Sequence, residues 1–218
     1  MSQPAPQLQL EAFTLGPYQT NCYLLYAKGS TECWIVDASF GPAPIAARIK
    51  KLGLTPKAIV LTHAHIDHIA GIADLVREFK GLPVWIHEAE REWLGDSELN
   101  LSIFSGVPVT APGPDRLLKH GEMLAIAGRD WQVRHTPGHS PGSITLVSQA
   151  EPVAIVGDAL FAGSVGRTDF PGCSMTQLSK SIREQLYTLA PETAFYPGHG
   201  EPGEIGIEMS TNPYVRAE

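Results

Sequence analysis

Apolar residues at the start of the chain fall in short runs of strand length. Gln7 to Leu15 alternates loosely, Asn21 to Ala27 (NCYLLYA) is apolar and aromatic, and Cys33 to Asp37 (CWIVD) is apolar and β-branched. Runs of this kind read as strands buried on one or both faces. Lys28-Gly29-Ser30 supplies turn residues between the last two and predicts a hairpin. Pro44 to Leu52 (PIAARIKKL) shifts to helical spacing, with proline near its start and Gly53 as a stop. Lys57 to Leu61 then reads as a buried strand, and Asp67 to Phe79 (DHIAGIADLVREF) as one helix with Gly81 just past its end. Pro83 to Ile86 is a short strand and Glu88 to Leu94 a short helix, while residues 95 to 118, rich in Gly, Pro and Ser, read as a long surface segment and a candidate flap over a site. Met123 to Ala127, Trp131 to His135, Ser143 to Val147 and Val153 to Val156 are further strands. Ser174 to Leu189 is a helix with Ser174 or Thr176 as N-cap, and Thr193 to Tyr196 is the last strand. Strands with helices, twice over, predict an α/β chain of the α+β type. The expected architecture is a four-layer αββα sandwich, two mixed sheets face to face with helices on the outer faces.

Composition narrows the class. With 218 residues, 43% of them hydrophobic and 18% charged, the chain can bury a sizeable core, and residues 1–218 are expected to form one domain. No window approaches the roughly 18 consecutive apolar residues of a membrane span. The opening MSQPAPQLQL has neither a basic n-region nor a long apolar h-region, so no secretory signal is expected. A net charge of -7 argues against nucleic acid as the main partner, because phosphate binding takes clustered Lys and Arg. Cys22, Cys33 and Cys173 are odd in number and include no CxxC pair, which fits reduced thiols in a cytoplasmic setting rather than a disulfide framework. Cys22 and Cys33 are expected to pack as small hydrophobes, and Cys173, in a loop, to be more exposed.

The histidines carry the chemistry. Thr62-His63-Ala64-His65-Ile66-Asp67-His68 follows directly on the strand KAIVL and places four candidate ligands within six residues. In extended backbone His63 and His65 point the same way, while Asp67 and His68 lie where the next helix begins. Imidazole nitrogen and carboxylate oxygen suit zinc and iron. Three more candidates sit at strand-to-loop junctions: His139 in TPGHS, Asp158 after the run Val153 to Gly157, and His199 in YPGHG. Seven ligands fit two metals that share one carboxylate.

These motifs resemble the metallo-β-lactamase-fold hydrolases, and more narrowly the glyoxalase II (hydroxyacylglutathione hydrolase) group. The matching pieces are THAHIDH, TPGHSPGS, VGDALFAGSVGRTDFPGC and YPGHG, in the family's order, together with the opening GPYQTNCYLL. The resemblance implies a metallo-β-lactamase-like sandwich with His63, His65 and His139 on a first metal, Asp67, His68 and His199 on a second, and Asp158 bridging them. Asp67 and Asp158 are thereby the candidate catalytic carboxylates. Two divalent ions are implied, zinc first, with iron or manganese as alternatives. Thr62, Ser140 and Asp37 are candidate partners for the ligand imidazoles, and His135 a candidate support four residues before His139. His87 is expected to be structural, His120 solvated, and the four tryptophans part of the core.

A water shared by two cations loses a proton near neutral pH, and a carbonyl bound beside it is polarised. A thioester suits such a site because its thiolate leaves without much help from an acid. The implied reaction is hydrolysis of S-D-lactoylglutathione-like thioesters to a hydroxy acid and a free thiol, by hydroxide generated at the metals. Longer glyoxalase II enzymes add a C-terminal helical region whose cations hold glutathione. The stretch after His199 contains only Arg216, so the compact form without that region is expected. Arg167, in Gly166-Arg167-Thr168-Asp169, is a candidate for binding an anionic part of the substrate; the alternative is an ion pair with Asp169 that shapes the loop. The partner is thus a small thioester, glutathione-linked in the simplest case. Rival readings are a persulfide dioxygenase of the same fold with one iron on His63, His139 and Asp158, and a lactonase or other acyl hydrolase. A nuclease of the fold and a closed structural zinc site fit less well.

Overall fold

The computed structural model describes residues 7–217, so the reading of the N-terminal leader falls largely outside the described residues. The first sheet is built from β1 (Leu8–Leu15), β2 (Thr20–Ala27), β3 (Glu32–Val36), β4 (Thr55–Val60), β5 (Val84–His87) and β6 (Arg116–Leu118), in that spatial order. Its first three strands are antiparallel and the rest parallel. The helices that make the parallel crossovers are α1 (Ala43–Leu52) between β3 and β4, then α2 (Ile66–Ile69) and α3 (Ile72–Glu78) between β4 and β5.

The second sheet contains β7 (Met123–Ile126), β8 (Arg129–His135), β9 (Ile144–Ser148) and β10 (Val153–Gly157). A two-stranded ribbon of β11 (Leu160–Phe161) and β12 (Ser164–Val165) follows, then α4 (Met175–Ser181), β13 (Ala194–Pro197), β14 (Gly203–Glu204) and α5 (Ile205–Thr211). The strand order is β14-β13-β10-β9-β8-β7, with β10 and β13 parallel and the other neighbours antiparallel.

Alternation along each strand sorts side chains into layers. Cys22, Leu24, Cys33, Ile35 and Ile59 face Ile45, Ile49, Ile69, Ile72 and Leu75 of the first helical layer. Their neighbours Tyr23, Leu25, Trp34, Val36 and Val60 face Leu124, Trp131, Val133, Leu146 and Ile155 of the second sheet. The outer face of that sheet packs Val147, Ala154 and Val156 on Leu178, Ile182, Leu186 and Ile205. The expected four layers and two mixed sheets are therefore present. Among the described residues no helix is long and apolar enough to cross a membrane.

Four local expectations are corrected. The helix over Asp67 to Phe79 is two helices, because Gly71 N–H donates to the Ala38 carbonyl at 2.8 Å instead of within the helix, at an approach so close that a Cβ would lie 2.2 Å from the Ser39 carbonyl oxygen. The helix over Ser174 to Leu189 is α-helical only to Ser181 and continues as a π-helical turn, Ile182–Leu186, with the expected cap in place: Gln177 N–H donates to Ser174 Oγ at 3.3 Å. Glu88 to Leu94 is covered by two 3₁₀ turns, Glu88–Glu90 and Trp93–Gly95, rather than one helix. The 95 to 118 segment is exposed over much of its length, but Asn100 at its centre is fully buried and its end is β6.

Candidate metal centre

All seven predicted ligands lie just beyond the C-terminal ends of β4, β8, β10 and β13, where loops are carried on a rigid scaffold. His63 Nε2 is 3.1 Å from His65 Nδ1 and 3.2 Å from His139 Nε2, and His65 Nδ1 is 2.9 Å from His139 Nε2. His199 Nε2 lies 3.1 Å from Asp67 Oδ2 and 3.4 Å from Asp158 Oδ2. His68 Nε2 lies 3.5 Å from Asp67 Oδ2 and from Asp158 Oδ1. Three overlapping groups of donor atoms result: His63, His65 and His139; His63, His68 and Asp158; Asp67, His68 and His199. Asp158 stands between them, with Oδ2 also 3.6 Å from His139 Nε2.

The outer ring nitrogens explain why the inner ones are free to act as ligands. His139 Nδ1 donates to the Arg167 carbonyl at 2.8 Å, and His199 Nδ1 to the Tyr18 carbonyl at 3.1 Å. Asp37 is a hub: it accepts His68 Nδ1, Thr62 Oγ1 and Thr62 N–H, each at 2.8 Å. Thr62 Oγ1, having given its proton to Asp37, accepts His63 Nδ1 at 3.1 Å. Each of these imidazoles thus spends its N–H outward and turns a lone pair inward, as metal-binding histidines do. Asp37 holds this position at φ 60, a left-handed conformation that non-glycine residues adopt at some cost.

Of the sequence-based partners, Asp37 and Thr62 therefore touch ligand imidazoles and Ser140 does not. Ser140 instead donates to Glu90. His135 stacks on His87 at 4.0 Å and reaches only the Pro141 carbonyl, 2.8 Å away, so it supports the loop without touching a ligand side chain. Arg167 is exposed and forms the ion pair with Asp169, at 2.9 and 2.8 Å. Cys22 and Cys33 are buried as expected, and the Cys173 thiol donates to the His139 carbonyl.

Burial pushes His63 and His139 below the ordinary imidazole value, and His65 down to about 3. His68 and His199 go the other way. Burial opposes their charge, but Asp67 and Asp158, with Asp37 at His68, push them up to about 9 and about 10. Asp67 and Asp158 are held ionised against their burial by His68 and His199.

A family profile described as the metallo-beta-lactamase superfamily matches residues 15–199. The chain belongs to the metallo-β-lactamase superfamily. It is 41% identical over 202 residues to the probable metallo-hydrolase YqgX of Bacillus subtilis, covering 92% of this chain and 94% of that protein. It is 32% identical over 213 residues to the hydroxyacylglutathione hydrolase GloC of Haemophilus influenzae, covering 97% and 100%. The crystal structure of the BLEG-1 B3 metallo-beta-lactamase superposes with a TM-score of 0.90 at 41% identity, over 95% of this chain and 99% of that one. TTHA1623, solved in a di-iron-bound form, gives 0.76 at 36% identity, over 94% and 100%.

The donor set fits the superfamily's metals on its own evidence. Three neutral imidazole nitrogens facing one another at hydrogen-bond distance cannot all satisfy each other, and a cation between them resolves the conflict. His68 Nε2 and Asp158 Oδ1 are buried without a hydrogen-bond partner and face each other across the centre. The chain is a metallo-hydrolase of this superfamily with a His- and Asp-rich site arranged for two metals.

Two supports escaped the sequence reading. Thr20 Oγ1 donates to Asp67 Oδ2 at 2.8 Å, while Asn21 Nδ2 donates to the Pro197 and Gly200 carbonyls and so clamps the YPGHG turn. Glu90, fully buried, accepts Ala64 N–H at 2.6 Å, Gly142 N–H at 2.7 Å and Ser140 Oγ–H at 2.5 Å, and thereby joins the THAHIDH and TPGHSPGS loops. In sequence Glu90 lies within the run Glu88 to Leu94, read as a short helix, and nothing in that run marks it as buried.

Stripped of metal, the protein is expected to balance Asp67 and Asp158 with protons on His68 and His199. Metal uptake at neutral pH then releases about two protons per chain, readable with an indicator dye in weak buffer. Because both folded values lie above the ordinary 6.5, their contribution to apoprotein stability is full below 6.5 and fades as pH rises through about 9 and 10. A metal-free Tm that stays flat from pH 6.5 to 10 would contradict this.

Proposed function

We propose that this chain hydrolyses thioesters, with His63, His65 and His139 holding one metal, Asp67, His68 and His199 the other, and Asp158 shared. One observation carries the reading. Among the described residues, no carboxylic acid or imidazole beyond the proposed metal-binding side chains lines the cavity above the centre. Asp67 and Asp158 are ionised, and His63, His68, His139 and His199 each turn one N–H outward. The remaining O–H groups along the lining belong to Tyr18 and Ser105, and a thiolate, whose conjugate acid has a pKa of about 8.5, is the acyl leaving group that needs an acid's help least. When bound, the metal pair supplies water that is acidic near neutral pH and an electrophile for the carbonyl. The residues do the rest. The Asp37–Thr62–His63 and Asp37–His68 bonds fix the two ligand rings, and Thr20 and Tyr18 orient Asp67 and His199. The similarity to GloC supports S-D-lactoylglutathione as the reference substrate.

The test is elemental analysis of protein purified without added metal, with S-D-lactoylglutathione hydrolysis assayed on the same sample. About two metals per chain with thioester cleavage are expected. One iron per chain, no thioester cleavage and oxygen uptake with glutathione persulfide would replace the reading with the dioxygenase.

A further inference from the structure

The cavity over the metal centre, about 270 Å³, does not end at the ligands. It shares Leu101 and Phe104 with a neighbouring cavity of about 430 Å³ lined by Trp93, Leu99, Leu101, Ile103, Phe104 and Pro171. Several of the large apolar side chains that the protein exposes lie at this joint mouth: Tyr18, Leu99, Ile103 and Phe104, the last 75% exposed. Soluble proteins rarely gather such residues in one place without a ligand or partner for them.

The annex is built, not incidental. Its wall is the turn Ser102–Ser105, and Asn100 ties that turn down. Asn100 Nδ2 donates to the Trp93 and Val109 carbonyls at 3.1 and 3.0 Å, and Asn100 Oδ1 accepts Ser102 N–H at 2.9 Å. The Asn100 carbonyl accepts Ile66 N–H at 2.9 Å, between His65 and Asp67, so the apolar wall is hydrogen-bonded to the metal loop itself. Leu101 is held at φ 66, a conformation a leucine does not choose unaided.

The charges favour an uncharged occupant in the annex. Among the described residues Arg167 is the one arginine or lysine lining either cavity; the Nε–Nη2 edge of its guanidinium is taken by Asp169, and its face lies 4.4 Å over Phe170. The annex contributes Glu98 and no cation. A carboxylate placed in the annex would meet Glu98 and hydrocarbon.

We infer that the annex receives the hydrocarbon arm of the acyl group, and that the substrates are thioesters of apolar carboxylic acids. This rests on the thioester reading above and narrows it. With the carbonyl at the metals, the arm passes Leu101 and Phe104 and lies along Trp93 and Ile103, where each methylene leaves water.

The test is a series of acetyl, butyryl, hexanoyl and octanoyl thioesters on N-acetylcysteamine, an uncharged thiol, with metal-loaded protein. The expected result is a kcat/KM that rises about two- to fourfold per methylene, and a slope that collapses in the double variant Phe104→Ser, Ile103→Ser, whose exposed positions spare the fold. Equal rates along the series, or S-D-lactoylglutathione outrunning the octanoyl ester, would overturn the inference and leave thioester hydrolysis standing. If no thioester is cleaved with two metals bound, that earlier reading falls, and calorimetry decides the annex separately. Octanoate binding more tightly than acetate, with the difference lost in the double variant, would support it; equal binding would refute it. A dimer that the double variant splits, with no dependence on chain length, would assign the patch to a second copy of the chain instead.

Discussion

Glu90→Gln is expected to weaken metal binding by about 10- to 100-fold, the usual range for a residue that supports metal ligands from behind. Glu90→Ala is expected to cost about 3 kcal/mol or more of stability. The carboxylate accepts three donors from two different loops. Truncation leaves the Ala64 and Gly142 N–H groups buried without partners, at about 1–3 kcal/mol for each group left unsatisfied. Glutamine keeps the volume but turns an NH₂ group toward at least one of those donors. Ala64 lies between His63 and His65, and Ser140 follows His139, so the strap spans the three imidazoles of one ligand group. Burial pushes Glu90 up to about 7, above its ordinary 4.5. Its contribution to stability is therefore full below 4.5 and fades as pH rises through about 7. Glu90→Gln removes that slope, which a generally loosened variant would not do. Chelator competition for metal affinity and Tm against pH check both parts. Unchanged affinity in Glu90→Gln would reduce Glu90 to packing.

The site was legible in the sequence where its parts are local. THAHIDH places four donors within six residues, and a strand fixes their relative directions, so spacing alone exposes them. His139, Asp158 and His199 are distant in sequence, yet each ends a strand in the second sheet, and strand ends of one sheet fall on one edge. Asp37 could be guessed for the same reason, as the last polar residue after CWIV. Glu90 could not, because its partners are 26, 50 and 52 residues away and its own run EAEREWL offers three glutamates with nothing to single one out. The fold was legible through alternation: Tyr23 and Leu25 face one layer while Cys22 and Leu24 face another. Where periodicity misled, a tertiary contact intervened. The run DHIAGIADLVREF is helical in pattern throughout, but Gly71 lies against Ser39 and the helix is broken there. The short β14 and α5 carry too little amphipathic pattern to stand out.

Gly198→Ala is the sharpest test of where the metals sit. A Cβ at this position would lie 2.0 Å from Asp158 Oδ1 and 2.7 Å from His68 Cε1, far inside contact distance. The backbone cannot retreat. Gly198 N–H donates to the Gly157 carbonyl at 2.9 Å, its own carbonyl accepts Asn21 N–H at 2.7 Å, and the Pro197 carbonyl before it accepts the Tyr23 hydroxyl at 2.5 Å. The methyl group must therefore displace the Asp158 carboxylate or the His68 ring, whose Oδ1 and Nε2 are buried without a hydrogen-bond partner. Misplacement of a catalytic group by about 1 Å costs on the order of 100-fold in rate, and overpacking costs about 1–3 kcal/mol. The expected result is a folded protein with fewer than two metals per chain and kcat lowered by about 100-fold or more. Gly200→Ala is the control. Its φ of 76 makes a side chain strained, but nothing lies within 4 Å of the new Cβ. It should cost about 1 kcal/mol and keep its metals. Elemental analysis of the two variants, side by side with their turnover, separates crowding at Asp158 from strain in the turn. Two metals and full turnover in Gly198→Ala would mean that the ions do not use Asp158 and His68.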